Sequence, residues 1–92
     1  MEKLDSKFTG TIIKVKDGTT VPDDEYMVFL AKDNAFPDTL KFYLSKCIEL
    51  GADDEQIMAV SRAILRVDEW RAAHPDLCHV PHAKGEKLMD MP

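Results

Sequence analysis

Apolar positions in this chain fall into two stretches of strand character followed by two of helical spacing. Phe8 to Val15 (Phe-Thr-Gly-Thr-Ile-Ile-Lys-Val) is rich in β-branched and aromatic side chains, which predicts a first strand. Asp17-Gly18 is a strong turn dipeptide, and Pro22-Asp23-Asp24 prolongs the break, so a connection longer than a two-residue hairpin loop is expected. Tyr26 to Ala31 is apolar on both faces and predicts a second strand. Two strands alone are marginal in water, so the ribbon is expected to pack on the helices.

Beyond Asp33-Asn34-Ala35-Phe36-Pro37 the period changes from two to between three and four. Pro37 suits a first helical position, where its missing amide costs nothing, and Phe36 before it is biased towards extended geometry. A helix over 37–50 carries the stripe Leu40, Tyr43, Leu44, Cys47 and Ile48. Gly51 fits the left-handed position past its end, Asp53 the next N-cap, and Gln56 the reciprocal half of a capping box. A second helix over 54–73 presents Ile57, Val60, Ala63, Ile64, Val67 and Trp70 as its buried stripe. On that reading Trp70→Ala costs about 3–5 kcal/mol. His74-Pro75 closes the helix, and residues 76–92 read as an extended tail that packs through Leu77 and Val80 and then frays. The predicted fold class is α+β, a two-stranded antiparallel β-ribbon packed on an antiparallel two-helix hairpin within a single domain of residues 1–92.

The 92 residues include only two cysteines, Cys47 in a predicted helix and Cys78 in a predicted loop, which suits a reducing compartment with both thiols free. No stretch approaches the ~20 apolar residues of a membrane span. The opening Met-Glu-Lys-Leu-Asp-Ser-Lys has no apolar segment of the secretory type, so a soluble, cytoplasmic protein is expected. Net charge is −5, and acidic residues exceed basic ones in both parts of the chain. Such a balance argues against generic binding to duplex nucleic acid, which needs a clustered positive footprint. It is compatible with a negative surface that meets a basic partner. Nothing in the pattern signals self-association, and a monomer is expected.

Candidate chemistry is sparse. His74, Cys78, His79 and His82, with Cys47 as a distant addition, offer zinc-type donors, yet they lack the paired ligand spacing of structural zinc sites. The cluster reads more simply as a helix exit that carries histidines, and no metal or cofactor is expected. The acidic runs Asp23-Asp24-Glu25 and Asp53-Asp54-Glu55 lack the alternation and glycine of a calcium loop. One reads as a solvated turn, the other as a helix N-terminus whose dipole favours negative charge. Cys47 lies on an apolar stripe where a small buried thiol is ordinary, and the glycines at 10, 18, 51 and 85 form no phosphate loop, so no enzyme is expected. The remaining candidate is a contact surface made of Lys32, Asn34, Phe36 and Lys41 near the first helix start, with Arg62 and Arg66 on one face of the second. Arginine and aromatic groups anchor interfaces and stack on unpaired bases.

One comparison adds to this. The segment Val21-Pro22-Asp23-Asp24-Glu25-Tyr26-Met27-Val28-Phe29-Leu30-Ala31-Lys32-Asp33-Asn34-Ala35-Phe36-Pro37 resembles small bacteriophage and prophage proteins. Thr39-Leu40-Lys41-Phe42-Tyr43, Leu50-Gly51-Ala52-Asp53 and Arg66-Val67-Asp68-Glu69-Trp70-Arg71 continue it across most of the chain. Within that group the chain is most similar to an inhibitor of type I-F CRISPR–Cas systems, an anti-CRISPR protein. The resemblance implies a non-enzymatic binder of the RNA-guided surveillance complex, touching its protein subunits and guide RNA and blocking target DNA. It carries no functional motif, so no residue roles transfer with it. Two alternatives stand beside it: a phage accessory or adaptor protein that binds another host protein, and a small zinc-dependent module built on His74, Cys78 and His82.

Overall fold

The ribbon closes far earlier than the apolar pattern predicts. In the computed structural model, which describes residues 2–85, strand β1 is Ile12–Ile13 and strand β2 is Thr20–Val21. They pair antiparallel, with Ile12 opposite Val21 and Ile13 opposite Thr20. The Asp17-Gly18 turn decides the outcome. Gly18 takes φ 75°, its amide donates to the Lys14 carbonyl at 2.8 Å, and the Lys14 amide donates to the Thr19 carbonyl at 2.8 Å. Asp17 Oδ1 accepts from the Thr19 amide and hydroxyl at 3.0 and 2.6 Å, and these bonds, the hydroxyl's first, hold its carboxyl below the usual carboxylate range. The β-branched residues directly after the turn therefore capture β1, and Pro22, with no amide to donate, stops the ladder.

The strand expected over residues 26–31 does not form, and the one expected over 8–15 shrinks to two residues. In each case one backbone amide, that of Phe8 in the first stretch and Val28 in the second, finds another acceptor. Asp5 Oδ1 accepts from the Lys7 and Phe8 amides, each at 2.9 Å, while Oδ2 accepts from the Val28 amide at 2.7 Å. Lys3 Nζ donates to the Asp5 and Phe8 carbonyls. With 4% of its surface exposed, Asp5 is the most enclosed polar residue among those described. Burial alone raises its pKa. The Val28, Lys7 and Phe8 amides and the Lys3 charge outweigh that and leave the carboxyl below its ordinary value. A carboxylate knot thus replaces ladder pairing at both ends of the expected ribbon.

The described chain divides into two compact units. One holds residues 2–28 with residues 82–85, where Lys7 Nζ donates to the His82 carbonyl at 2.9 Å and the Tyr26 hydroxyl to the Gly10 carbonyl at 3.0 Å. The other holds residues 29–81 and both helices.

Helix α1 spans Phe36–Glu49 and helix α2 spans Asp54–Ala73, within a residue of expectation. Gly51, at φ 78°, and its neighbours complete a Schellman end: the Gly51 amide bonds the Ile48 carbonyl at 3.1 Å and the Ala52 amide the Cys47 carbonyl at 2.9 Å. Asp53 caps α2 by accepting from the Gln56 amide at 2.8 Å. Gln56 does not reach back to complete the box; its Nε2 donates to the Tyr43 hydroxyl at 3.4 Å and ties the two helices together.

Packing between the helices is thin. Cys47 and Val60 are the buried apolar residues, each 7% exposed, with Leu40, Leu44, Ile57, Ala63, Ile64 and Val67 half-buried around them. Tyr43 and Ile48, expected in the stripe, lie exposed on its flanks. Trp70 is half-buried and stacks on His74, with ring centroids 4.3 Å apart. Because the indole keeps one side open, Trp70→Ala should cost about 1–2 kcal/mol instead of the 3–5 of a fully enclosed aromatic, a difference read from the urea midpoint.

After α2 the chain makes a short 3-10 turn at Pro75–Leu77 rather than an extended exit. It then returns to the α1 approach, where the His79 amide donates to the Lys32 carbonyl at 3.0 Å and the Asn34 amide to the His79 carbonyl at 2.9 Å, a parallel bridge between Asp33 and His79. Backbone pairing does the fastening that was expected of Leu77 and Val80, both of which are exposed. The remainder of the predicted tail, residues 86–92, lies outside the described residues.

Candidate partner-binding surface

The approach to α1 is built by turns. The Asp33 amide bonds the Leu30 carbonyl at 3.1 Å and the Phe36 amide the Asp33 carbonyl at 3.0 Å. The Asp33 carboxylate accepts from the Ala35 amide at 2.7 Å, and Pro37 opens the helix without wasting a donor. This folding brings Phe29 against Phe36, ring centroids 5.7 Å apart and planes within 11°. Phe36 is half-buried and Phe29 is 51% exposed, so the outer ring of the stack offers a free aromatic face. An aromatic pair of this kind favours offset stacking, and its open face can accept a further planar group.

Of the six residues named from sequence, the structure gives each a different standing. Lys32 is half-buried, with its carbonyl in the bridge and its ammonium free of ion pairs among the described residues. Asn34 is exposed, but its side-chain oxygen is already engaged by Arg71 Nη2 at 2.9 Å. Phe36 supports the stack from beneath. Lys41 is exposed on α1. Arg62 and Arg66 are exposed one turn apart on α2, away from the Val60 side of the helix. Lys32, Asn34 and Phe36 are therefore gathered at one junction, whereas Arg62 and Arg66 form a pair of their own.

Two residues of the junction were not singled out from the sequence. Phe29 was absorbed into the expected second strand, and only its partner at Phe36 reveals it as a surface ring. Arg71 is the clamp: Nη1 donates to the Ala31 and Asp33 carbonyls at 3.0 and 3.2 Å, and Nη2 to Asn34. The planar guanidinium satisfies three acceptors of one turn at once, as a lysine cannot.

The histidine-rich exit is occupied with local bonding. His74 Nδ1 meets the Trp70 carbonyl at 2.8 Å, Cys78 Sγ donates to the His74 carbonyl at 3.4 Å, and His79 Nδ1 meets the Val80 carbonyl at 3.0 Å. Among the described residues no three His, Cys, Asp or Glu side chains gather closely enough to hold a metal ion. Also among them, no helix is long and apolar enough to cross a membrane.

No protein family, curated protein or solved structure matches the chain.

Proposed function

We propose that this protein is a non-enzymatic phage inhibitor that binds the type I-F CRISPR RNA-guided surveillance complex in the host cytoplasm and keeps it from target DNA. The observation that carries the reading is the exposed Phe29 ring stacked on Phe36, with Lys32 in the turn between them and Lys41 on the helix that follows. Open aromatic faces beside lysines suit unpaired bases and their phosphates, which a guide RNA presents. The net charge of −5 suits the basic channel that would otherwise receive DNA, and charge complementarity of that kind speeds encounter. The resemblance in the 21–37 segment suggests the target, and the exposed Phe29 ring beside Lys32 supports this surface as the contact.

The test is a binding assay with reconstituted surveillance complex, read alongside target-DNA binding. Phe29→Ala should weaken binding by about 1–3 kcal/mol, the worth of one stacked base. Combined alanine replacement of Lys32, Lys41, Arg62 and Arg66 should weaken it further and flatten its salt dependence, while the changes at the exposed Lys41, Arg62 and Arg66 each shift stability by only about half a kcal/mol. A folded Phe29→Ala protein and a folded quadruple variant that both block DNA as well as the parent would refute the surface.

A further inference from the structure

We infer that α2 is a self-association surface through which two copies of this chain pair antiparallel about a two-fold axis at Leu65. The inference goes beyond the proposed target and does not rest on it. Met58, Leu65 and Ala72 are all exposed, the first two at 58% and 62%, and they recur every seven residues on the side of α2 away from Val60. A seven-residue repeat drifts only ~20° per step on a straight helix, so the three form one nearly axial apolar stripe. Arg62 and Glu69, also exposed and also seven apart, run along one flank of it. Neither takes part in an ion pair among the described residues.

This stripe is complementary to itself and to its own reversal. A two-fold axis through Leu65 sets Leu65 against Leu65 of the second copy and Met58 against its Ala72, large against small at both ends, which allows close helix approach. The same operation keeps the charged flanks on one side of the interface. Arg62 lies three residues before Leu65 and Glu69 four after it, so at 1.5 Å per residue Arg62 of one copy stands within about 1.5 Å of the level of Glu69 of the other. Two identical Arg62–Glu69 pairs follow, one at each end. A parallel two-fold would instead carry the two charged flanks to opposite sides of the interface and leave Arg62 and Glu69 without these cross-pairs. Glu55 and Arg66 sit further round the helix, at the rim. The contact uses one face of one helix, well short of the 20–30 residues per side of a standard interface, so the dimer is weak and concentration-dependent. The monomer expected from sequence is then the dilute form.

Sedimentation equilibrium of the full chain, from micromolar to millimolar concentration, tests this directly. The expected result is a reversible monomer–dimer equilibrium whose dissociation constant rises at least about tenfold in Leu65→Glu, a change at an exposed position that leaves the melting curve in place. Arg62→Glu and Glu69→Arg should each weaken the dimer a few-fold, and the two together should restore it, because the pairs re-form with reversed polarity. A monomer at all concentrations would overturn the proposal. So would a dimer indifferent to Leu65→Glu, or a double swap that fails to recover, since the antiparallel register demands that recovery.

Discussion

Asp5→Ala should be the most damaging single substitution outside the apolar packing, lowering stability by about 3–5 kcal/mol. The side chain is 4% exposed and its two oxygens accept three backbone amides, from Lys7, Phe8 and Val28, joining segments more than twenty residues apart in sequence. Hydrogen bonds to a charged group contribute about 1.5–3 kcal/mol each, and removing the acceptor also leaves three part-buried amides without this partner. Asn is not an adequate substitute. One end of its amide would point N–H groups at donors, so Asp5→Asn should recover less than half of the loss. Urea titration gives the size of the effect, and hydrogen exchange at the Val28 amide shows whether it arises at this knot. An exchange rate at Val28 that stays unchanged in Asp5→Ala would mean the carboxylate is not what protects it.

The same carboxylate gives the fold a pH dependence of definite sign. The folded pKa is depressed below the ordinary value of 3.8, so the unfolded state binds more protons as the pH drops. The contribution is present in full above that ordinary value and is lost as pH falls through the lower folded value. Asp17 adds in the same direction, but it is fully exposed and solvent screens it. Acid titration of the parent and of Asp5→Asn should therefore show a constant gap in stability above the ordinary value, closing as pH falls through the lower folded value.

Local chemistry was legible in this sequence, and distant pairing was not. The helix boundaries follow from Pro37, Gly51, Asp53 and Pro75, each of which acts on backbone within a few residues of itself, and all four act as their residue types dictate. The strands were misplaced because two apolar runs competed for Phe8 to Val15. Thr19-Thr20-Val21 wins by sitting just past the Asp17-Gly18 turn, where little loop entropy is lost. Asp5 then takes the Val28 amide, and nothing near either residue announces the bond. Gln56 shows the same limit in miniature, since the capping box that its spacing offers loses to a tyrosine brought in by the other helix. The surface is similar. Lys41, Arg62 and Arg66 are exposed as their helical positions suggest, whereas the engagement of Asn34 and the open ring of Phe29 depend on a turn shaped by a residue nearly forty positions away.

That residue is Arg71, and Arg71→Ala should lower stability by about 2–3 kcal/mol while weakening partner binding without Arg71 touching the partner. Its guanidinium makes three hydrogen bonds, to the carbonyls of Ala31 and Asp33 and to the side chain of Asn34. Each charge-assisted bond stabilises by more than a neutral one, but the site is only half-buried and water can replace part of what is lost, so the sum stays below three full bonds. For a domain of this size the melting temperature should fall by about 10–20 °C. Arg71→Lys should recover little, because an ammonium cannot span three acceptors held in a planar fork. The binding effect follows from position: the clamp fixes the turn that sets Phe29 on Phe36, and a looser turn pays more conformational entropy on ordering against a partner. Thermal melts and the surveillance-complex assay, run on the same preparations, separate the two roles. A variant with the predicted drop in melting temperature but parental affinity at a temperature where it is fully folded would show that the aromatic pair does not depend on the clamp.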